Sequence, residues 1–81
     1  MKAIVHVGLK PGVLDPQGKA VADTLGRMGY NEVASARIGK VIELDLEDDV
    51  SEADAQARVK EMCEKLLANT VIESYRIELQ T

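Results

Sequence analysis

The chain has 81 residues and a formal net charge of −4, which predicts one small domain and excludes the strongly basic surface that nucleic-acid binding requires. The charge also argues against an anionic membrane surface, and no apolar run approaches the ~20 residues that span a bilayer. The single cysteine excludes an internal disulfide framework, and the start of the chain lacks a signal-peptide pattern, so a cytoplasmic protein is expected.

The first predicted element is a strand. Apolar side chains occupy every second position from Ala3 to Leu9, which gives the strand one apolar face. Pro11-Gly12 then predicts a tight turn, since proline fixes φ and glycine accepts positive φ.

A helix is predicted from Pro16 to about Met28. Asp15 is a good N-cap, and a proline at the first helical position loses no hydrogen bond. Gly29 predicts the end of this helix.

Two further strands, Val33 to Ile38 and Val41 to Leu46, are predicted to form a hairpin. Gly39-Lys40 between them suits a two-residue turn with glycine at its first position.

The last third of the chain predicts a helix and a strand. Ser51 with Asp54 forms a helix-capping pattern, and Asn69 predicts the helix end. The helix carries one apolar stripe, formed by Ala55, Val59, Met62, Cys63 and Leu66. The final strand spans Val71 to Leu79, with Val71, Tyr75, Ile77 and Leu79 on one face.

The element order β-α-β-β-α-β predicts an α+β fold in one domain over residues 1–81. Two right-handed βαβ crossovers joined by a hairpin give a ferredoxin-like arrangement. Its sheet has four antiparallel strands, with both helices on one face.

Self-association is predicted from two observations. The helix-free face of the sheet is mixed rather than cleanly polar, with Ile4 and Ile72 among its members. A two-residue turn at Gly39-Lys40 also pairs Arg37 with Ile42, which places polar and apolar residues on one face. Either the turn is longer or a second subunit covers both faces. A homodimer or homotetramer is expected, since so short a chain without Trp or Phe has a marginal core.

The loop between the first strand and first helix leaves two aliphatic side chains without a local partner. Leu14 would form a hydrophobic staple only if Lys19 were apolar. Val13 and Leu14 therefore form a docking surface, or they fold back over the end of the core.

No catalytic, cofactor-binding or metal-binding residues are expected in the chain. Cys63 shares an apolar helical stripe, so a buried and inert thiol is favoured over a nucleophile. His6 is the only histidine, which excludes a metal or catalytic pair built on two imidazoles. The alternating carboxylates from Glu43 to Glu47 predict a solvated strand face rather than a cation site. Gly39-Lys40 predicts a turn, because it lacks the upstream glycine of a phosphate loop.

Several blocks of the sequence together resemble the PurS family, the small subunit of phosphoribosylformylglycinamidine synthase. The matching blocks are Leu9-Lys10, Gly12 to Gly18, Ala20-Val21, Arg37-Ile38-Gly39-Lys40, Glu43-Leu44, Met62 to Asn69 and Val71 to Tyr75. They cover nearly the whole chain in the family's order and spacing. Thr70 departs from the pattern, because many members have proline after the asparagine.

The resemblance implies a role in the fourth step of de novo purine synthesis. In that family, formylglycinamide ribonucleotide, glutamine and ATP give formylglycinamidine ribonucleotide, glutamate, ADP and phosphate. A large synthetase subunit binds ATP and Mg²⁺, a glutaminase subunit releases ammonia, and the small subunit bridges the two. The candidate interface residues are Val13, Leu14, Asp15, Pro16, Gln17, Arg37 and Lys40.

Two alternative functions stay open. The first is a homo-oligomeric regulatory module of the same fold that binds a small molecule. The second is a hydrolase of the acylphosphatase type, which is disfavoured because the loop from Lys10 to Gln17 contains no arginine to bind an anion.

Overall fold

The computed structural model describes all residues from 1 to 81 and contains three strands and two helices. The elements are β1 (Lys2–Leu9), α1 (Pro16–Arg27), β2 (Lys40–Asp45), α2 (Glu52–Met62) and β3 (Glu73–Gln80). A single π-helical turn, Cys63–Leu67, extends α2. Neither helix has the length and the hydropathy that a membrane-spanning segment requires. The predicted α+β class is confirmed.

The sheet is antiparallel and has the strand order β2-β1-β3. β1 is central, and Val5 lies opposite Ile42 on one side and Ile77 on the other. Lys2 pairs with Gln80 at one end of the sheet, and Leu9 pairs with Glu73 at the other.

The core lies between one face of this sheet and α2. Its fully buried side chains include Val5 from β1 with Val59 and Cys63 from α2 and the π turn. The odd-numbered residues of β1 face this core because side chains alternate along a strand. Ser51 caps α2 as predicted, its hydroxyl accepting a hydrogen bond from the Asp54 N–H at 3.1 Å. The core is built from small aliphatic side chains.

The π turn changes which residues of the second helix are buried. Helical spacing predicts that Leu66 lies on the apolar stripe, but this residue is 82% exposed. The N–H of Ala68 donates to the carbonyl of Cys63 at 3.1 Å, a five-residue step that replaces the usual step of four. Ala68 therefore takes the buried position that follows Val59 and Cys63. The prediction for Leu66 is wrong for this reason.

The predicted strand from Val33 to Ile38 and its hairpin are not formed. Residues 34–39 make no backbone–backbone hydrogen bond, and the chain runs from them directly into β2. The sheet consequently has three strands rather than the predicted four. Helix α1 contributes no residue to the core or to the side chains packed against it, so the two helices do not share one face of the sheet in the single chain.

Helix α1 and the segment that follows it instead form an arm that extends from the sheet. The caps of α1 are as predicted, with Asp15 before its first turn and Gly29 at φ 98° after its last. The Cα radius of gyration is 16.2 Å, whereas a compact chain of this length has about 12 Å. The arm accounts for this extended shape, which measures 51 × 26 × 14 Å.

Candidate functional site

The candidate site is the loop of residues 10–15, which connects β1 to α1. Val13 donates its N–H to the carbonyl of Lys10 at 2.9 Å, which closes the turn predicted at Pro11-Gly12. Lys10 donates its own N–H to the carbonyl of Ile72 at 2.9 Å, so the loop is also tied to the segment before β3. These two bonds fix the start of the loop on the end of the sheet.

Asp15 fixes the other end of the loop with a buried carboxylate. One of its oxygens accepts the Gly18 N–H at 2.8 Å, which caps α1, and the other accepts the Ile38 N–H at 2.8 Å. These two backbone hydrogen bonds hold the pKa of Asp15 below its usual value, and the bond from Ile38 has the larger effect. The positive charge of Arg37 lowers this pKa further. The carboxylate therefore joins two segments that lie more than 20 residues apart in the sequence.

Arg37 holds the loop from the opposite side. Its guanidinium donates to the carbonyl of Lys10 at 2.9 Å, to that of Val13 at 3.0 Å and to that of Leu9 at 3.4 Å. A planar group with several fixed donors can satisfy three converging carbonyls, which a lysine ammonium would do less rigidly. Asp15 and Arg37 thus form a double clamp between the loop and residues 37–38.

The clamp holds the backbone of the loop but leaves Leu14 exposed to solvent. Leu14 is 76% exposed, whereas Val13 is half-buried. The alternative in which Leu14 folds back over the core is therefore wrong in this structure. An exposed leucine held in a hydrogen-bonded loop is well suited to docking, because little conformational freedom remains to be lost on binding.

The other candidate interface residues surround this loop. An open cleft of about 480 Å³ brings Asp15, Pro16 and Gln17 together with Lys40 at the start of β2. A second open cleft of about 510 Å³ lies beside it and is lined by Val13, Leu14 and Arg37 among others. Asp15 lines both clefts. The seven candidates therefore form one continuous region, and their role in binding a partner stays a prediction.

The structure shows why Arg37 is important, which the sequence pattern did not. The sequence singles out Arg37 through its match to a family block and its pairing with Ile42 in the predicted hairpin, and nothing in the local sequence indicates three carbonyl acceptors. The local sequence does not show the importance of Gly18 either. A Cβ at this position would collide with the carbonyl of Ala36, because α1 lies directly against residues 36–38.

Cys63 and His6 lie away from the loop region. Cys63 is completely buried, and burial raises the pKa of its thiol. Beside it, the Tyr75 hydroxyl donates to Glu64 at 2.6 Å, and this bond raises the pKa of Tyr75 to about 12. His6 contacts Glu78 at 3.4 Å on the other face of the sheet. No group of three or more potential metal-ligating side chains comes together.

Comparison with known proteins agrees with the sequence resemblance over the whole chain. The PurS family model, described as phosphoribosylformylglycinamidine (FGAM) synthase, matches residues 2–81. The chain belongs to the PurS family. A relative from Bacillus subtilis, named phosphoribosylformylglycinamidine synthase subunit PurS, is 58% identical over 79 residues, which are 98% of this chain and 92% of the relative.

Solved PurS structures share the fold of the chain. Methanocaldococcus jannaschii PurS, described as one of the subunits of formylglycinamide ribonucleotide amidotransferase, has a TM-score of 0.89 at 39% identity over 99% of this chain and 95% of its own. A chain in the structure of PurLQS from Thermotoga maritima has a TM-score of 0.86 at 32% identity over 95% of this chain and 93% of its own. The overall shape of the chain, including its extended arm, therefore closely follows that of these PurS structures.

Proposed function

We propose that this chain is the non-catalytic small subunit of phosphoribosylformylglycinamidine synthase and that it bridges the glutaminase and the ATP-dependent synthetase subunits. PurS family membership and the likeness to a chain of the Thermotoga maritima PurLQS structure support this role. The observation that carries the bridging function is the clamped loop, which presents Leu14 to a partner while its own backbone is held by Asp15 and Arg37.

The chemistry is assigned to the partner subunits. ATP and Mg²⁺ bind in the large synthetase subunit, and this chain binds no cofactor of its own. The buried thiol of Cys63 has a raised pKa, the opposite of what an activated nucleophile needs. The complex works in the cytoplasm, as does the purine pathway that it serves.

The physical task of the small subunit is to fix the positions of the two active sites relative to each other. Ammonia released by a glutaminase is lost to water unless the accepting site lies close by in a fixed orientation. A subunit that holds the two active sites together raises the effective concentration of ammonia at the second site without taking part in the reaction.

The subunit works as a homo-oligomer, and a homodimer is the smallest form that fits its surface. A protein of 8.8 kDa normally exposes about 4,800 Å², whereas this chain exposes 5827 Å². The difference of about 1,000 Å² is close to the ~800 Å² that each partner buries in an interface of standard size. Only 9 of 81 residues are buried in the single chain, so a second copy would add substantially to the core.

A reconstitution experiment tests the proposal. The large synthetase and glutaminase subunits are mixed with and without this chain, and formylglycinamidine ribonucleotide is measured with either glutamine or ammonium as nitrogen source. Glutamine-dependent synthesis should require the chain, whereas synthesis from high ammonium should not. Equal glutamine-dependent rates with and without the chain would refute the bridging role.

A further inference from the structure

A second exposed aliphatic side chain lies at the end of the sheet that carries the loop of residues 10–15. Val71 is 80% exposed and precedes β3, whereas Leu14 is 76% exposed and follows β1. Leu9, the last residue of β1, pairs with Glu73, the first residue of β3. The segments that carry Val71 and Leu14 therefore leave the sheet side by side.

A turn of residues 69–73 holds the backbone around Val71. The carbonyl of Asn69 accepts the N–H groups of Ile72 at 3.1 Å and of Glu73 at 2.7 Å. The side-chain oxygen of Asn69 accepts the Val71 N–H at 3.2 Å, and the Asn69 N–H donates to the Glu73 carboxylate at 2.7 Å. Val71 is thus exposed on a backbone that is already ordered, as Leu14 is, so little conformational freedom is lost when a partner covers it.

One backbone hydrogen bond joins this turn to the loop. The Lys10 N–H donates to the carbonyl of Ile72 at 2.9 Å, and Lys10 also begins the closed turn that leads to Leu14. Given the spans of a closed turn, a strand pair and adjacent residues, the Cα atoms of Leu14 and Val71 lie at most ~20 Å apart. An interface of standard size covers ~800 Å² of each partner, a patch about 30 Å across, so one partner can contact both side chains.

Lys10 adds a free positive charge to this region. It is exposed and takes part in none of the ion pairs of the chain. Its backbone is fixed on both sides, because its N–H bonds to Ile72 and its carbonyl accepts hydrogen bonds from Arg37 and Val13. A free cation beside exposed apolar side chains, in a chain of net charge −4, is complementary to a carboxylate on an apolar partner surface.

We infer that Leu14, Val71 and the ammonium group of Lys10 form one docking surface, and that this surface binds an apolar patch of the synthetase subunit that carries a carboxylate opposite Lys10. The inference rests on the proposed function and specifies the surface through which one of the two partners is held. A single partner covers the surface because the turn of residues 69–73 is continuous with the loop through Lys10. The two aliphatic side chains act as apolar anchors, and the lysine orients the partner and accelerates its approach.

Replacement of Val71 tests the apolar part of the surface. Calorimetric titration measures the affinity of the Val71→Asp variant for the synthetase subunit and, separately, for the glutaminase subunit. The dissociation constant should rise at least ~10-fold for the synthetase and stay within about twofold for the glutaminase. Leu66→Asp is the matched control, because it places the same charge at a residue that is 82% exposed, and it should bind both subunits normally. If circular dichroism shows that Val71→Asp is unfolded, Val71→Ala replaces it, with an expected loss of about fivefold.

The outcomes separate this inference from the proposed function. Normal affinity of the folded Val71 variant for the synthetase overturns the inference alone, and so does a loss of affinity for the glutaminase. A variant whose mass in sedimentation equilibrium falls below that of the unmodified protein also overturns it, because the surface then belongs to a second copy. Unmodified protein that binds neither large subunit overturns the proposed function and the inference together.

Charge reversal at Lys10 tests the polar part of the surface. Lys10→Glu is compared with Lys60→Glu, which changes the net charge equally at another exposed lysine outside every ion pair. At low salt Lys10→Glu should bind the synthetase at least ~10-fold more weakly than the unmodified protein. The difference should shrink below about threefold in about 1 M salt, where charges are screened beyond ~3 Å. Equal effects of the two variants, or a difference that persists in high salt, would overturn the pairing of Lys10 with a carboxylate.

Discussion

Replacement of Leu14 by aspartate tests the docking loop most directly. Leu14 is 76% exposed, and burial of a whole leucine contributes about 1.5–3 kcal/mol. The buried quarter therefore contributes less than about 1 kcal/mol to folding, and Leu14→Asp should lower the melting temperature by less than about 8 °C in a domain of this size. The exposed three quarters are available to a partner and correspond to about 1–2 kcal/mol, to which the cost of burying a carboxylate is added. The dissociation constant for the large subunit should rise at least ~10-fold.

The assay measures thermal stability by circular dichroism and affinity for the large synthetase subunit by calorimetric titration, on the same preparations. Leu66→Asp is the matched control, since Leu66 is 82% exposed and the chemical change is identical. Leu66→Asp should bind within about twofold of the unmodified protein. A Leu14→Asp variant with normal affinity would refute the docking role, and so would equal losses of affinity in both variants.

Three further predictions concern the helix, the clamp and the core. Gly18→Ala should lower the free energy of unfolding by about 1–3 kcal/mol, because the added Cβ meets the backbone of Ala36. Gly26→Ala should stabilise the same helix by up to about 1 kcal/mol, because a Cβ at that position meets no atom within 4 Å. Equal effects of the two substitutions in urea unfolding would contradict the close contact at Gly18. Asp15 has a lowered pKa, so its stabilising contribution is complete above the ordinary carboxyl value of 3.8 and is lost as the pH falls through the lowered value. Asp15→Asn should therefore flatten the acid side of the stability curve, and an unchanged slope would refute the assignment. In ultraviolet titration of a Tyr30→Phe variant, Tyr75 should ionise near pH 12 rather than at its ordinary value of 10.0. Adding Glu64→Gln should lower this midpoint, because it removes the carboxylate that accepts the hydrogen bond. An unchanged midpoint would exclude that hydrogen bond as the cause of the raised pKa.

Local signals in the sequence predicted most of the individual elements. The alternation along β1 and the caps at Asp15, Ser51 and Gly29 act over a few residues, so each can be recognised without knowledge of the fold. The same applies to the turn at Pro11-Gly12, which the bond from Val13 to Lys10 closes.

The remaining features depend on contacts between distant residues. Residues 33–38 have a strand-like pattern, but whether they form a ladder depends on whether the chain turns back to reach an edge strand, which the local pattern does not decide. Leu66 is exposed because the π turn contains one residue more than an α-helical turn. A hydrophobic pattern with a period of 3.6 residues does not reveal this additional residue. The clamp depends on residues 9–15 and 37–38 lying together. The sequence indicated Asp15 as a helix cap and Arg37 through a family block, but neither signal showed that the two residues act together.

The pairing of Lys2 with Gln80 has a practical consequence for how the complex can be studied. Both chain termini lie at the same end of the sheet, and the eight residues of β1 separate them from the loop by about 24 Å. An affinity tag or fluorophore can be attached at either terminus without covering Leu14. Two labels on one chain lie next to each other, so energy transfer within a chain is constant and any change on mixing reports the approach of another subunit.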